Sequence, residues 1–383
     1  MSLKIAVPKE RTAGENRVAL VPREAERLIR SGMRVWVESG AGSGADYADG
    51  AYREAGAEVV SEIGELYREA EVILKVRRPE PEEMEHMRKG AVLIALLDPM
   101  RHLSHVEELG ERGLTSFSMD MVPRITRSQE MDALSSQATV AGYKAVLMAA
   151  NRLNRLMPMM VTAAGSIIPA QVLILGAGVA GLQAIATARR LGAVVKGFDI
   201  RVAAKEQVES LGAEFIDEHL QEDAEGEGGY AKELAENQQE KNRRVIHKHI
   251  RESDIVITTA LIPGRPAPLL VTEEMVADMK PGSVLVDLAA EAGGNCVLTQ
   301  SGETVTTEGG VTLIGHTNLP SLVPVHASDM YARNIVKLLG LMVKDNRLDP
   351  DFEDEILRST CITRNGEVVH SRIGELLNKH PVT

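Results

Sequence analysis

Residues 171–201, QVLILGAGVAGLQAIATARRLGAVVKGFDIR, constrain the fold of this chain more than any other stretch. An apolar run leads into Gly176, Gly178 and Gly181, a helical pattern follows, and a second apolar run ends at Asp199. In such a unit the first glycine permits a tight turn, the second lets the backbone approach a pyrophosphate, and the third lets strand and helix pack closely. The sequence therefore predicts a dinucleotide-binding unit, with the phosphates at the N-terminus of the helix.

Asp199 indicates which dinucleotide is bound. It follows Gly181 by 18 residues, where its carboxylate is placed to accept a hydrogen bond from a ribose 2′-hydroxyl. A carboxylate there repels a 2′-phosphate, so the sequence favours NAD(H) over NADP(H). Arg201 is a counter-argument, since it can pair with a phosphate, but it can equally form a salt bridge with a neighbouring acid.

Composition limits the class of protein. A length of 383 residues allows two ordinary domains of about 150 residues each. The formal net charge of −12 speaks against nucleic acid and anionic lipid as partners. The sequence has no run of 18 apolar residues and no early apolar stretch typical of a secretory signal. Its two cysteines, Cys296 and Cys361, form no CxxC motif, and no His cluster has ligand spacing, so we expect a cytoplasmic chain with no metal site.

The pattern of apolar runs predicts two domains. Up to about residue 120, the runs LKIAV, MRVWV, EVILKV and AVLIALL alternate with amphipathic stretches, and VLIL, VVKGF, AEFI, DIVITTA, SVLVDLA and VTLIG form a second such series. We expect an α/β fold of two Rossmann-like, doubly wound parallel-sheet domains, joined by long helices, with a cleft between them. The expected domains are 1–130 plus 345–383 and 145–326, with connecting helices at 131–144 and 327–344.

The two long helices are predicted at about Gln129 to Leu156 and about Ala327 to Val343. Between the second helix and the C-terminus, Asn365 and Gly366 predict a two-residue hairpin turn, because both tolerate positive φ.

A polar segment, PRITRSQEMDALSSQ, begins the first long helix. Thr126 with Gln129 fits a capping box, and Asp132 early in a helix complements its dipole. Arg124, Asp132 and Ser135 go beyond what a cap requires, which leaves ligand binding as the alternative.

Other polar residues lie near predicted strand ends. Lys75 and Arg17 are interpreted as surface ion-pair residues of the first domain. Several residues follow strands of the second domain, at the sheet edge where ligands bind in open α/β folds: Thr259, Glu291, Gly293, Gly294, Asn295 and the segment GHTNLPS with His316 and Asn318. The polar residues of GHTNLPS have two interpretations, contacts with the edge of a cofactor or capping of the loop.

Residues 217–244 lose the core pattern and are rich in charge and glycine. Composition leaves two alternatives for this segment, an inert solvated insertion or a mobile flap over a site.

Several motifs together resemble one family. KERTAGENRVAL, PRITRSQEMDALSSQ, GAGVAGLQAIATARRLGA, ITTALIPGRPAP, MKPGSVLVDLAAEAGGN and GHTNLPS are similar to the NAD(H)-binding component, within the alpha subunit, of proton-translocating NAD(P) transhydrogenases, over essentially the whole chain. Alanine dehydrogenases share this design, but they carry a histidine near the position of Asp98 and an aspartate where this chain has Glu291. Hydride transfer between two nicotinamides moves no proton and needs no such base.

The resemblance implies a set of site residues. Those implied to act in hydride transfer and its positioning are Arg124, Gln129, Asp132, Ser135 and Tyr230. Those implied to bind the cofactor are the same residues together with Gly176, Gly178, Val179, Ala180, Gly181, Asp199, Ile200, Arg201, Gly229, Thr259, Ala260 and Leu261.

The resemblance also implies partners. It implies a homodimer that docks on NADP(H)-binding and membrane subunits, with NAD(H) on this chain and NADP(H) on the partner. Because the chain ends at Thr383 without membrane helices, we expect a separate subunit, peripheral on the inner face of the membrane. A free-standing amino-acid dehydrogenase of the alanine dehydrogenase type and a non-catalytic NAD-binding module are the alternatives.

Overall fold

The structure is a computed structural model that describes residues 2–217, 236–262 and 264–379. Within them, the strands are β1 Lys4–Val7, β2 Arg34–Glu38, β3 Glu58–Val60, β4 Val72–Arg77, β5 Val92–Leu96, β6 Thr115–Ser118, β7 Met160–Thr162, β8 Gly165–Ile167, β9 Gln171–Leu175, β10 Val194–Phe198, β11 Glu214–Phe215, β12 Ile255–Thr258, β13 Val284–Asp287, β14 Thr304–Thr306, β15 Thr312–Ile314, β16 Val343–Lys344, β17 Arg347–Leu348, β18 Cys361–Arg364 and β19 Glu367–Val368.

The α-helices of the same residues lie between these strands. They are α1 Pro22–Arg30, α2 Asp49–Glu54, α3 Ile63–Glu69, α4 Pro81–His86, α5 Leu103–Glu111, α6 Ala133–Arg152, α7 Val179–Arg190, α8 Ala204–Ser210, α9 Glu236–Ile250, α10 Glu273–Ala277, α11 Pro324–Gly340, α12 Glu355–Thr360 and α13 Ser371–Lys379.

The chain divides into two compact units. The first consists of Met1–Gln137 and Pro320–Thr383, and the second of Ala138–Leu319. The chain passes from the first unit to the second within α6.

The first unit is built on an eight-stranded sheet. Its strands lie in the order β3-β2-β1-β4-β5-β6-β18-β19, of which the first six are parallel and β18 and β19 are antiparallel additions. Alternate residues of β1 face two different cores: Ile5 and Val7 belong to one apolar cluster and Ala6 to the other. Both faces of this sheet are therefore covered, as in doubly wound folds.

The second unit repeats the same strand order. Its seven strands lie in the order β11-β10-β9-β12-β13-β15-β14, with β14 antiparallel at the edge. Val172 and Ile174 of β9 pack in one core, and Leu173 and Leu175 pack in the other. The six parallel strands follow the 3-2-1-4-5-6 order of the Rossmann fold. The predicted fold class and all six predicted strands of this unit are thus confirmed.

Some predicted elements differ in their bounds. The first long helix begins at Ala133 rather than Gln129, because residues Thr126–Met131 form a 3₁₀ helix before it. The last long helix begins at Pro324, three residues before the predicted start, since proline favours the first helical turn. Strands β3 and β6 of the first sheet were not predicted. The hairpin turn at Asn365 and Gly366 is confirmed, with φ of 53° and 87° between β18 and β19.

Candidate functional site

The glycine turn after β9 has the geometry that its sequence predicts. Gly176 has a φ of 101°, which favours glycine, and its N–H donates to the Phe198 carbonyl of β10 at 2.8 Å. A Cβ atom on Gly181 would lie 1.8 Å from the Gly176 carbonyl oxygen. The turn and the start of α7 therefore approach each other so closely that only glycine fits at both ends.

Gly178 differs from the other two glycines. A Cβ atom added to it would meet no atom within 4 Å, so its backbone faces open space. Val179 and Ala180 follow in the first turn of α7, where the backbone N–H groups lack carbonyl partners within the helix and favour an anion. Open space beside these N–H groups fits the pyrophosphate of a dinucleotide.

Asp199 lies at the carboxyl end of β10, next to this turn, and is buried. Its Oδ2 accepts from the Ala177 N–H at 2.7 Å. Its two carboxylate oxygens also accept from the Arg201 guanidinium at 2.9 and 2.8 Å and from the Arg201 N–H at 2.9 Å. Of the two alternatives for Arg201, the salt bridge with a neighbouring acid is the one that the structure shows. Ile200 lies between them, half-buried against the core.

The segment after β12 closes the other side of the turn. Thr259 donates from its hydroxyl to the Gly176 carbonyl at 2.9 Å, and its N–H donates to the Leu175 carbonyl at 2.8 Å. Ala260 is half-buried and Leu261 is 43% exposed. The structure thus brings together the predicted residues on the three neighbouring strands β10, β9 and β12, at their carboxyl ends.

Two buried polar residues lie beside this segment: Asn295, which the sequence placed at this sheet edge, and Asp287, which it did not single out. Asn295 donates to and accepts from the backbone of Ala260, at 2.9 and 3.0 Å. Asp287, the last residue of β13, accepts five hydrogen bonds and is fully buried. An aspartate at the end of an otherwise apolar buried strand was the available signal, because a charged residue is rarely buried without several partners.

The predicted polar segment lies in the first unit. Asp132 accepts from the Ser135 N–H at 2.8 Å and from its hydroxyl at 2.5 Å, so it caps α6. The interpretation that this segment caps a helix is therefore correct. The capping residue is Asp132, however, and not the predicted pair of Thr126 and Gln129. Arg124 and Gln129 have exposed side chains.

Lys75 and Arg17 form ion pairs, but the prediction that they lie at the surface is wrong. Lys75 is fully buried and donates to Glu83 at 2.8 Å, with Glu10 at 3.6 Å. Its strand, β4, is covered on both faces, so its side chain cannot reach solvent.

Arg17 is also buried and donates to Glu15 through Nε and Nη2, at 2.7 and 2.6 Å. Burial alone raises the pKa of Glu15, but the hydrogen bonds and charge of Arg17 lower the pKa to about 2. Glu10, which pairs with Lys75, is also buried, and this burial raises the pKa of its carboxyl group.

The loops after β13 and β15 of the second unit are joined by a capping contact. Glu291 accepts from the Asn318 N–H at 3.0 Å, and Asn318 has a φ of 52°. Between the two alternatives for GHTNLPS, this bond supports loop capping. Gly229 and Tyr230 lie outside the described residues.

Two further properties concern the described residues as a whole. In the ranges 2–217, 236–262 and 264–379, no three or more His, Cys, Asp or Glu side chains are grouped to hold a metal ion. In the same ranges, no helix is long and apolar enough to cross a membrane.

The fold and the glycine turn define a dinucleotide-binding α/β protein of two Rossmann-like units. Comparison with known proteins identifies the family. The model "Alanine dehydrogenase/PNT, N-terminal domain" matches residues 6–141, and "Alanine dehydrogenase/PNT, C-terminal domain" matches residues 145–371. The chain belongs to the alanine dehydrogenase/PNT family.

Relatives within this family are named as oxidoreductases of two kinds. The chain is 49% identical to a component of NAD(P) transhydrogenase subunit alpha of Rhodospirillum rubrum, over 96% of this chain and 98% of the relative. It is 31% identical to alanine dehydrogenase of Bacillus subtilis, over 96% of this chain and 93% of the relative. The crystal structure of transhydrogenase from Sinorhizobium meliloti matches with a TM-score of 0.86 and 47% identity, covering 96% of this chain and all (100%) of that one.

Proposed function

We propose that this chain is the NAD(H)-binding subunit of a proton-translocating NAD(P) transhydrogenase. In this role it transfers hydride directly between NADH, which it binds, and NADP bound on a partner subunit. The observation that carries the proposal is the glycine turn, whose open space at Gly178 fits a pyrophosphate, in a chain so similar to a transhydrogenase alpha subunit.

The proposed binding residues are those of the turn and the neighbouring strand ends. The backbone at Gly178, Val179 and Ala180 is proposed to bind the pyrophosphate, and Asp199 the adenosine ribose. Thr259, Ala260 and Leu261 are proposed to line the site beside β12. Because Arg201 neutralises Asp199 in this structure, the ribose hydroxyl must share the carboxylate with that guanidinium.

The proposed chemistry requires positioning rather than proton transfer. When bound, the nicotinamide ring supplies the hydride. Arg124, Gln129, Asp132 and Ser135 are proposed to orient the nicotinamide and its ribose, because rate here depends on the distance and alignment of the reacting groups. An amino-acid dehydrogenase would need a base to remove a proton along with the hydride. Glu291 is bonded to a loop N–H and is assigned no such role.

A homodimer is part of the proposal, and an exposed hairpin supports it. In the part of the chain that the structure describes, strands β7 and β8 pair only with each other, and a two-stranded hairpin is marginal in water on its own. The hairpin and its flanks expose large apolar side chains, with Val161 at 73% and Ile168 at 77%. Residues 157–170 contain no charged side chain, so two copies can approach without charge repulsion. Such an exposed apolar patch typically marks an interface.

The remaining partners are proposed from the named relatives. Because the chain is similar to components of transhydrogenase alpha subunits, it is proposed to act with NADP(H)-binding and membrane subunits, on the inner face of the membrane. The alternative is an alanine dehydrogenase-like enzyme, because such a relative is 31% identical over nearly the whole chain.

One experiment distinguishes these functions. The purified chain is assayed for reduction of an NADP analogue by NADH, with and without the NADP(H)-binding subunit, and for pyruvate amination. We expect hydride transfer only when the partner is present, and no amination. Amination by the chain alone would support the alternative instead.

A further inference from the structure

Asp287 organises the loops at the carboxyl ends of β12 and β13. Its Oδ1 accepts from the Thr258 hydroxyl at 2.9 Å and from the Ala289 N–H at 3.0 Å. Its Oδ2 accepts from the N–H groups of Asn295 and Cys296, at 2.8 and 3.1 Å, and from the Thr299 hydroxyl at 2.7 Å. The buried carboxylate of Asp287 thus connects the end of β12 to residues 295–299, the segment that follows the loop after β13.

The turn before Asn295 is built to bring that residue under Asp287. Gly293 and Gly294 have φ of 97° and 83°, values that residues with a side chain rarely adopt. A Cβ atom on Gly294 would lie 2.9 Å from Asp287 Oδ2. The backbone of Asn295 is therefore fixed by the turn and the carboxylate together.

The side-chain amide of Asn295 is fully buried, and its hydrogen-bonding capacity is used on one loop. Its Oδ1 accepts from the Ala260 N–H at 3.0 Å, and its Nδ2 donates to the carbonyls of Ala260 at 2.9 Å and Pro268 at 2.8 Å. An amide has one acceptor group and two N–H donors, so all of these are satisfied here. This contact pattern holds both sides of residue 260, its N–H and its C=O.

The loop held in this way adjoins the glycine turn. Ala260 directly follows Thr259, whose hydroxyl donates to the Gly176 carbonyl. In open α/β sheets, ligands bind where the first and fourth parallel strands diverge, which here are β9 and β12. The position of the Ala260 backbone therefore sets one wall of the space that the turn leaves open.

We propose that Asn295, fixed by Asp287, is a positioning residue for dinucleotide binding, because its amide holds the backbone of Ala260 beside the glycine turn. This inference rests on the proposed function, since it assumes that the turn binds NAD(H). It assigns no contact between Asn295 and the cofactor. Asn295 acts through residues 260–261 on the part of the dinucleotide that the turn holds, so NADH and ADP-ribose depend on it equally.

The test compares Asn295→Asp with a matched control, Thr299→Val. Asn295→Asp keeps the size of the side chain but replaces the two N–H donors by an oxygen that faces two carbonyl oxygens. Thr299→Val removes one hydrogen bond to the same Asp287 oxygen and leaves the Asn295 amide intact. Dissociation constants for NADH and ADP-ribose are measured by calorimetry well below the melting temperature of each variant.

We expect Asn295→Asp to weaken both ligands by the same factor, tenfold or more, and Thr299→Val to change neither by more than twofold. A merely structural role would lower the melting temperatures and leave the dissociation constants of the folded proteins unchanged. NADH affinity within twofold of wild type in Asn295→Asp, or an equal loss in Thr299→Val, would overturn the proposal.

A second variant covers a failure to fold. Asn295→Ser removes the amide contacts without placing a charge in the core, and the same tenfold loss is expected. If neither variant folds, Asn295 serves folding and not positioning, and the proposal is overturned. Failure of the wild-type chain to bind NADH would instead contradict the proposed function, so the two failures are distinguishable.

Discussion

Substituting alanine for Gly178 is expected to separate cofactor binding from folding. Gly178 has a φ of −77° and a ψ of −169°, which any residue adopts, and a Cβ atom there would meet nothing within 4 Å. Alanine makes the unfolded chain less flexible, which raises stability by about 0.4–1 kcal/mol, but Gly178 is the N-cap of α7, where alanine is less favourable than glycine. We therefore expect the two effects to offset each other and stability to change by no more than about 1 kcal/mol.

The same methyl group is expected to weaken NADH binding strongly. It enters the space where the backbone is proposed to meet the pyrophosphate, and a hydrogen bond to a charged group contributes about 1.5–3 kcal/mol. Loss of one such bond corresponds to a roughly tenfold to hundredfold weaker affinity, since about 1.4 kcal/mol is a factor of ten.

Gly181→Ala is the matched control. Its Cβ atom would lie 1.8 Å from the Gly176 carbonyl oxygen, so the turn must shift. Overpacking of this kind costs about 1–3 kcal/mol, and we expect both stability and binding to fall. The assays are urea unfolding and NADH calorimetry on both variants and the wild type. Wild-type NADH affinity in Gly178→Ala would refute the proposed approach of the pyrophosphate to this backbone.

Three further changes have expected outcomes. Asp199→Ala should reduce the preference for NADH over NADPH in calorimetry, because it removes the carboxylate that repels a 2′-phosphate; an unchanged preference would contradict that role. The pKa of Glu15 is lowered to about 2 from 4.5, so its stabilisation, about 3 kcal/mol, is present above pH 4.5 and lost as the pH falls toward 2. Urea unfolding of Glu15→Gln should therefore show a flatter pH dependence than wild type between pH 4.5 and 2, and equal slopes would exclude this linkage. Val161→Asp combined with Ile168→Asp should convert a dimer to a monomer in analytical ultracentrifugation, and a persistent dimer would place the interface elsewhere.

Much of the second unit was predictable because its signals are local. Each parallel strand is a short apolar run covered on both faces, and the glycine turn is encoded within six residues, 176–181. The strands of the first unit were harder to predict. Strand β6, Thr115–Ser118, has the sequence TSFS, and its hydroxyl side chains do not indicate a buried strand. Its Ser116 is buried because it bonds to Thr363, 247 residues further along the chain.

The polar contacts were predictable only where partners are close in sequence. Asp132 caps α6 through Ser135, three residues further along the chain. The sequence therefore predicted that this segment caps a helix, but it assigned the cap to Thr126 and Gln129. Lys75 is buried between Glu83 and Glu10, and no local pattern connects it to Glu10. Likewise Asn295 meets Ala260 across 35 residues, so its role emerges only when two loops are brought together by the sheet.

We propose above that hydride passes between two nicotinamides without a protein base. This proposal is tested most directly by single-turnover transfer from NADH to NADP in the complex with the NADP(H)-binding subunit, across pH, for wild type and Glu291→Gln. Positioning variants Gln129→Asn and Arg124→Ala serve as comparison and should slow transfer roughly tenfold or more, about 1.4 kcal/mol in the barrier, with NADH affinity changed less. If no protein base takes part, Glu291→Gln transfers hydride at nearly the wild-type rate at every pH. A steep pH dependence of the wild-type rate that Glu291→Gln abolishes would show that a proton moves with the hydride, and transfer without a base would then be excluded.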